Sequence, residues 1–316
     1  MKKIIYFLFA TLIGQQALAQ DINKIITKEY ADRLIKTLSS DEMEGRGTYT
    51  PGIDKAASFI EAEFKAIGLV PLTGESSFRQ SFFRNEADKR PLFNVAGMIP
   101  GKSKAKEIVV FSGHYDHLGI VKGDAQDSIA NGADDDASGV TAMISLAKYY
   151  KALNNNERTL IFVAFTAEEI GGFGAKYFSS KLNPDNVVAM FNIEMIGKES
   201  KFGKNTAFLT GFDKSDFGKI LQKNLAGTEF AFHPDPYTSQ NLFYRSDNAT
   251  LAALGVPAHT ISTDQIDIDK FYHTVKDEYS TLDTDNILAT IKAIAKSAIS
   301  IVKGIDTPSR IPRLVE

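Results

Sequence analysis

The sequence contains no cysteine among its 316 residues. This absence excludes disulfide bonds, thiolate zinc sites and cysteine nucleophiles, so any metal ion must be held by nitrogen and oxygen atoms. Clusters of lysine and arginine are also lacking, and 36 basic against 39 acidic side chains give a net charge of −3. This balance argues against nucleic acid as the main partner. No linker rich in proline, glycine or serine, no internal repeat and no low-complexity tract divides the chain.

Residues 1–19 have the pattern of a targeting segment. Two lysines precede an apolar stretch over 4–13, and positions 17–19 have the small-x-small pattern of a signal-peptide cleavage site. About ten apolar residues are too few to cross a bilayer, which takes roughly 20. We therefore expect a signal peptide over 1–19 and an exported protein, periplasmic or secreted, with no stable membrane insertion after cleavage.

Hydrophobic periodicity predicts alternating helices and strands after residue 20. Apolar residues recur at helical spacing over 22–38, 53–67, 139–153 and about 286–303. Runs of strand length, rich in β-branched and aromatic residues, occupy 93–99, 108–112, 159–165 and 187–193. Apolar strands between amphipathic helices indicate a mostly parallel, mixed and twisted sheet covered on both faces. The expected fold is an α/β protein, a three-layer α/β/α sandwich, as a single domain over 20–316.

Polar residues follow two of these strands, at the sheet edge where sites are found in such folds. The 108–112 run leads into His114 and Asp116, and the last predicted strand is followed by Glu194. Because an extended chain alternates faces, Asp116 is placed to accept the second N–H of a ligating His114 imidazole. His273 lies much later, in a polar stretch typical of a loop. A solvent-facing carboxylate and a loop histidine are the simpler interpretations of Glu194 and His273.

Two acidic segments each have a structural and a chemical interpretation. Three consecutive aspartates occupy 134–136, and Glu168 and Glu169 follow the third predicted strand. Helix capping explains both segments, since aspartate is a good N-cap and Thr166 with Glu169 fits a capping box. Three adjacent carboxylates also need a cation or solvent to offset their repulsion, although the spacing does not match a calcium-binding EF-hand loop. From the segments alone, both interpretations remain open.

Taken together, these signals form a ligand set. Two histidines and three carboxylates from five separate chain segments are what two divalent metals with nitrogen and oxygen ligands require. The chance coincidence of five separate weak signals is much rarer than any one of them.

With these residues, the chain resembles the co-catalytic zinc aminopeptidases of metallopeptidase family 28. That family also contains glutamate carboxypeptidase II, glutaminyl cyclases and the transferrin receptor. The resemblance rests on the blocks Gly-x-His-x-Asp, Gly-Ala-x-Asp-x-x-Ser-Gly, Glu-Glu-x-Gly and Tyr-His-Thr, in this order. It extends from EGRGTYTPG at 44–52 through FNVAGMIPG at 93–101 to YHTVKDEYSTLD at 272–283.

The resemblance implies a zinc-peptidase fold and two Zn²⁺ ions, with other divalent metals possible. Asp135 would bridge both metals. His114 and Glu194 would complete the shell of one metal, and Glu169 and His273 that of the other. Most members of the family have aspartate where this chain has Glu194, and the extra methylene must be absorbed by a backbone shift or a changed binding mode.

Four further residues receive roles from the resemblance. Glu168 would be the general base, and Tyr272 would donate a hydrogen bond to the developing oxyanion, with core packing as the alternative for Tyr272. Asp116 and Asp136 would lie next to the metal ligands without binding a metal themselves. Asn248 stands where many relatives have histidine, which leaves the substrate contacts at this position open.

The implied function is an exopeptidase that removes N-terminal residues from peptides, with the free α-amine docked against the acidic metal site. A glutaminyl cyclase with a single zinc, a non-catalytic binding protein and an endopeptidase that accepts blocked peptides are the alternatives. A dinuclear carboxypeptidase is disfavoured, because its lid domain needs an insertion of around 100 residues. His233 and His259 are predicted to be structural, and His117 is a candidate for the surroundings of the site.

Overall fold

The computed structural model describes residues 22–121 and 127–314. The predicted signal peptide over 1–19 lies outside the described residues. Across the described ranges, no helix has the length and apolar character needed to cross a bilayer.

The four predicted helices are present, the last of them divided in two, and further short helices lie between them. In chain order they are α1 Lys28–Leu38, α2 Pro51–Ile67, α3 Gly139–Leu153, α4 Phe173–Ser180, α5 Phe217–Asn224, α6 Asn248–Ala253, α7 Thr284–Ser297 and α8 Ile299–Val302. The helix predicted over 22–38 is interrupted, because Thr27 caps α1 by accepting a hydrogen bond from the Tyr30 amide. Gly68 adopts the left-handed conformation, with φ 84°, and ends α2 as its sequence position predicts.

The strands form one large sheet and a small hairpin in the described part of the chain. They are β1 Val70–Pro71, β2 Arg79–Phe83, β3 Pro91–Ile99, β4 Lys104–His114, β5 Gly119–Ile120, β6 Ile129–Ala130, β7 Arg158–Phe165, β8 Val187–Ile193, β9 Thr206–Leu209, β10 Ala231–Pro234 and β11 Ala258–Ser262. The order in the large sheet is β1-β3-β7-β4-β8-β11-β9-β10, with β2 also paired to β3, and β5 pairs with β6.

Four neighbouring strands at the centre of the sheet run parallel. β7, β4, β8 and β11 pair in parallel, whereas β3 joins β7 and β9 joins β11 antiparallel. The expectation of a mostly parallel, mixed sheet is therefore confirmed. Because the four central strands share a direction, the residues that follow them meet at one edge of the sheet.

Helices cover both faces of the sheet. Alternate residues of β4 point to opposite sides. Phe111 belongs to the apolar cluster that contains Ile144 of α3 and Ile291 of α7, while Val110 belongs to the cluster that contains Phe178 of α4 and Leu251 of α6. The two apolar layers, one on each face, form the core of a three-layer α/β/α sandwich, as predicted.

Candidate metal centre

Asp135 lies at the centre of a buried polar cluster beyond the carboxyl edge of the parallel strands. Its Oδ1 is 3.1 Å from His114 Nε2, at the end of β4, and its Oδ2 is 3.2 Å from His273 Nε2. The Asp135 side chain is only 3% exposed. The two oxygens of one carboxylate thus face two different imidazoles, which is the arrangement that a bridging ligand requires.

Glu169 completes the cluster on the side of His273. Its Oε2 lies 3.0 Å from His273 Nε2, and its Oε1 lies 2.9 Å from His117 Nδ1. One donor atom from each of His114, Asp135 and Glu169 falls within 4.8 Å of the other two. Four separate segments of the chain therefore bring four of the five predicted ligands together, namely His114, Asp135, Glu169 and His273.

Glu194, the fifth predicted ligand, follows β8 directly and lines the same cavity as Asp135. Its carboxylate accepts hydrogen bonds from the Ser246 hydroxyl and, at 3.4 Å, from the Asn192 amide. Burial raises the pKa of Glu194, an effect opposed by His114 and reinforced by Asp135 and Glu169.

Asp136 anchors the main chain around the cluster. Its carboxylate accepts hydrogen bonds from the amides of His114 at 3.1 Å, Gly139 at 2.9 Å and Met195 at 3.2 Å. These bonds tie the end of β4, the start of α3 and the segment after β8 to one side chain. Asp136 also satisfies a helix amide at the start of α3, so the capping interpretation applies to Asp136 and the ligand interpretation to Asp135.

Asp116 supports the cluster in a different way from the one predicted. The acceptor closest to His114 Nδ1 is the main-chain carbonyl of Asp116 at 3.1 Å, whereas its carboxylate oxygen is 3.8 Å away. The carboxylate instead accepts from the amides of Glu168 at 3.1 Å and Glu169 at 3.3 Å. It is engaged there because the two glutamates lie in a turn whose amides have no helical partners.

The capping-box interpretation of Thr166 and Glu169 is wrong. Helix α4 begins at Phe173, so Glu169 lies in the preceding turn and not in the first turn of a helix. The Glu169 side chain is directed to the histidines, as its contacts with His117 and His273 show.

Glu168 lines the cavity next to Asp135 and Glu194. Burial raises its pKa well above the usual value; His114 opposes the rise, and the carboxylates of Asp247 and Glu194 add to it. For Asp135 burial acts in the same upward direction, but hydrogen bonds from His114 and His273 outweigh it and hold the pKa of Asp135 well below its usual value.

Two residues of the site were missed or undervalued in the sequence. His117 was expected only near the site, yet it contacts Glu169, and its Nε2 is buried with no hydrogen-bond partner among the described residues. Asp247 is 2% exposed, and neither of its oxygens has a partner in that part of the chain. Burial raises the pKa of Asp247, and the nearby carboxylates of Glu194 and Asp116 raise it further against the opposing effect of His114.

The remaining candidates divide between the cavity and the core. Tyr272 lines the cavity and stacks on His273, with ring centroids 3.9 Å apart. Asn248 is fully buried, and its amide donates to the carbonyls of Phe243 and Ala258. Asn248 therefore has a structural role in this chain.

The two histidines predicted to be structural make their contacts outside the metal-binding cluster. His259 pairs with the Ser215 hydroxyl and the Thr210 carbonyl, and His233 stacks on Phe202.

The donor set fits divalent metal ions. Its atoms are imidazole nitrogens and carboxylate oxygens, which suit zinc in the absence of thiolates. Several buried carboxylates with raised pKa values surround it, among them Glu168, Glu194 and Asp247. Bound cations would favour the ionised form of these carboxylates and offset their charge.

Comparison with known proteins identifies relatives of the chain. Residues 94–298, more than half of the chain, match the model of Peptidase family M28. A probable zinc metalloprotease of Leptosphaeria maculans is 31% identical over 195 residues, which cover 58% of this chain and 42% of that protein. The chain thus spans less than half the length of this relative.

Solved structures share the fold at low sequence identity. The LapA aminopeptidase of Legionella pneumophila aligns with a TM-score of 0.69 and 18% identity, covering 92% of this chain and 74% of that one. The glutaminyl cyclase of Porphyromonas gingivalis aligns with a TM-score of 0.67 and 16% identity, covering 88% and 99% respectively.

Proposed function

This chain belongs to peptidase family M28, and we propose that it is an exported, zinc-dependent aminopeptidase that removes N-terminal residues from peptides. The observation that carries the proposal is the position of Asp135 between the imidazoles of His114 and His273, at 3.1 Å and 3.2 Å. The names of its relatives, a zinc metalloprotease and an aminopeptidase, support the same chemistry.

We assign two Zn²⁺ ions to this cluster. Asp135 would be shared, with His114 and Glu194 on one ion and Glu169 and His273 on the other. When bound, such a pair lowers the pKa of a shared water and polarises the scissile carbonyl. The residues of this chain then hold the peptide, move the proton and support the developing charge.

Glu168 would act as the general base. It lies on the cavity wall, and its main-chain amide is fixed by the Asp116 carboxylate at 3.1 Å. Burial raises the pKa of Glu168, which suits a carboxylate that takes a proton from water and returns it to the leaving amine. Tyr272, on the same wall, would donate a hydrogen bond from its hydroxyl group to the developing oxyanion.

The exopeptidase assignment follows from charge. The cavity is lined by the carboxylates of Asp135, Glu168 and Glu194, and the negative charge that bound metal leaves unbalanced favours a free α-ammonium group over a blocked terminus.

The test is a mixture of peptides with free and acetylated N-termini, with zinc content measured on the same sample. We expect stepwise loss of N-terminal residues from the free peptides only, and two zinc ions per chain. Cleavage of acetylated peptides would instead indicate an endopeptidase. Pyroglutamate formation from glutamine-initiated peptides would indicate a cyclase, and binding without turnover a non-catalytic member.

Replacing the proposed base gives the second test. Glu168→Gln should lower kcat by about 10²–10⁴-fold while zinc content is retained. Near-normal turnover in this zinc-loaded variant would remove Glu168 from the role.

Export is proposed from the pattern at 1–19 alone. Expression of the full chain in a Gram-negative host should yield a periplasmic or secreted product that begins at Gln20, as measured by N-terminal sequencing. An intact N-terminus on cytoplasmic protein would contradict it.

A further inference from the structure

The cavity that contains the proposed base extends beyond the metal cluster. Its wall includes Glu168 and His273 at the cluster together with Met195, Asp264 and Ile266. If a peptide carbonyl lies at the cluster, as the proposed function requires, this extension receives a substrate side chain.

Asp264 is the unusual part of that wall. Its side chain is 3% exposed, and neither carboxylate oxygen accepts a hydrogen bond from any described residue. Its main-chain amide is fixed, because it donates to the Met195 carbonyl and to the Ser262 hydroxyl, both at 3.2 Å. A buried carboxylate without hydrogen bonds is costly, and a donor group that enters the cavity relieves that cost.

The charges behind Asp264 do not neutralise it. The Lys198 ammonium contacts the Asp269 carboxylate closely and lies 3.4 Å from Asp134 Oδ2, but it is 3.9 Å from Asp264 Oδ1. One ammonium therefore faces three carboxylates. Burial, together with Asp134 and Asp269, raises the pKa of Asp264 to about 8 despite the opposing effect of Lys198.

These acids do not make a second metal centre. Asp134, Asp264 and Asp269 each offer an oxygen within 4.8 Å of the others, but the Lys198 ammonium already lies among those oxygens. A divalent ion would have to displace it. A singly charged group that approaches Asp264 from the cavity side leaves Lys198 in place.

From this arrangement we propose that Asp264 selects substrates whose N-terminal residue has a cationic side chain, lysine or arginine. The inference rests on the proposed aminopeptidase function. The other carboxylates of the cavity, Asp135, Glu168 and Glu194, are assigned to metal binding and proton transfer. Asp264 is thus the carboxylate left to pair with the side chain, and the apolar groups of Met195 and Ile266 pack against its methylene stem.

Arg245 also lines this cavity, and its charge has the opposite sign. Its side chain is exposed and hydrogen-bonded to Gln240 at 3.4 Å, so water screens it. A cationic group that reaches Asp264 lowers the pKa of its carboxyl and so favours the ionised form, whereas the charge of Arg245 stays screened by water.

The test compares the p-nitroanilides of lysine and norleucine, because norleucine has the same unbranched stem without the ammonium group. We expect kcat/KM to be at least about tenfold higher for lysine, the usual size of a charge-assisted hydrogen bond. Asp264→Asn should lower the lysine-to-norleucine ratio by about the same factor. Asp267→Asn, an exposed charge loss in the same loop, should leave both the ratio and the activity unchanged.

Other outcomes separate this inference from the proposed function. Hydrolysis of norleucine p-nitroanilide at least as fast as the lysine substrate, or a ratio insensitive to Asp264→Asn, would overturn the inference and leave the aminopeptidase assignment intact. If neither substrate is hydrolysed, the aminopeptidase assignment fails. The affinities of L-lysine amide and L-norleucine amide, measured by calorimetry, then test the selectivity of the pocket without catalysis. Equal affinities would refute selection by Asp264.

Discussion

Arg46 is expected to hold together the two loops that carry His114 and Asp135. It is 0% exposed, and all its contacts are with main-chain carbonyls. Its Nε donates to Tyr115 at 2.9 Å, Nη1 to Leu38 and Asn131 at 2.6 Å, and Nη2 to Gly132 at 2.8 Å and Asp135 at 3.4 Å. The Tyr115 carbonyl directly follows His114, and the Gly132 and Asp135 carbonyls belong to the turn that presents Asp135.

The substitution Arg46→Met keeps the stem but removes the charge and every donor. Each buried carbonyl left without a partner costs about 1–3 kcal/mol, but relaxation of the loop and the avoided burial of a charge offset part of the sum. We expect a net loss of about 3–5 kcal/mol in the free energy of unfolding. Because both loops move, zinc affinity should fall at least about tenfold, which corresponds to about 1.4 kcal/mol.

The assay is denaturant unfolding of the metal-free protein together with zinc titration under native conditions. Arg158, at the start of β7, provides a control that differs from Arg46 in also pairing with the Glu107 carboxylate and the Thr307 hydroxyl. It is also 0% exposed and donates to the carbonyls of Ile301 and Asp306, each at 2.7 Å. Arg158→Met should destabilise the fold comparably while zinc affinity is retained. Equal losses of zinc affinity in the two variants, or a change in stability under about 1 kcal/mol for Arg46→Met, would refute this account.

Three further predictions concern the site and the core. Asp136→Asn removes acceptor capacity for the amides of His114, Gly139 and Met195. We therefore expect a lower zinc content and a free energy of unfolding lower by about 2–3 kcal/mol. Full zinc content by metal analysis would contradict this. Removal of metal by a chelator should abolish activity and lower Tm, and zinc at 1,000 times its Kd should restore about 4 kcal/mol; an unchanged Tm would argue against metal at this cluster. Burial lowers the pKa of His259 to about 4, so stability present above its unfolded pKa of about 6.5 is lost as pH falls towards 4, by up to about 1.4 kcal/mol per pH unit. The slope of stability against pH between 4.5 and 6.5 should therefore be smaller in His259→Asn, and identical slopes would show that His259 is not the group responsible.

The strands and helices of the centre were predictable because they bury long apolar stretches. The run 159–165 corresponds to β7, and 139–153 corresponds to α3 at both ends. The strands β9 and β10, the last two at one side of the sheet, have only four residues each, which is too short for a clear periodicity. The break before α1 has a local signal in the sequence, because threonine is a good N-cap residue and Thr27 caps the helix. The prediction over 22–38 relies on apolar periodicity alone and therefore runs through this break.

The candidate site was predictable where its residues follow a strand directly. His114 and Glu194 stand at the ends of β4 and β8, so the sheet direction alone places them together. The hydrogen bonds of Arg46 reach main-chain carbonyls of segments distant in sequence, which no residue pattern specifies. The burial of Asp247 beside the cluster likewise depends on how distant segments pack, and the sequence carries no local signal for it. His117 had a usable signal, because it lies one residue beyond Asp116 in the same strand-end segment.

The main chain at Glu194 is regular, and donors from other side chains bind its carboxylate. The Glu194 amide donates to the Ile261 carbonyl at 3.1 Å, so residue 194 continues the ladder between β8 and β11 without a shift. The side chain ends against the Ser246 hydroxyl and the Asn192 amide. If Glu194 binds a metal ion as proposed, these two hydrogen bonds compete with the ion for the carboxylate, so Ser246→Ala should raise the cation affinity at Glu194.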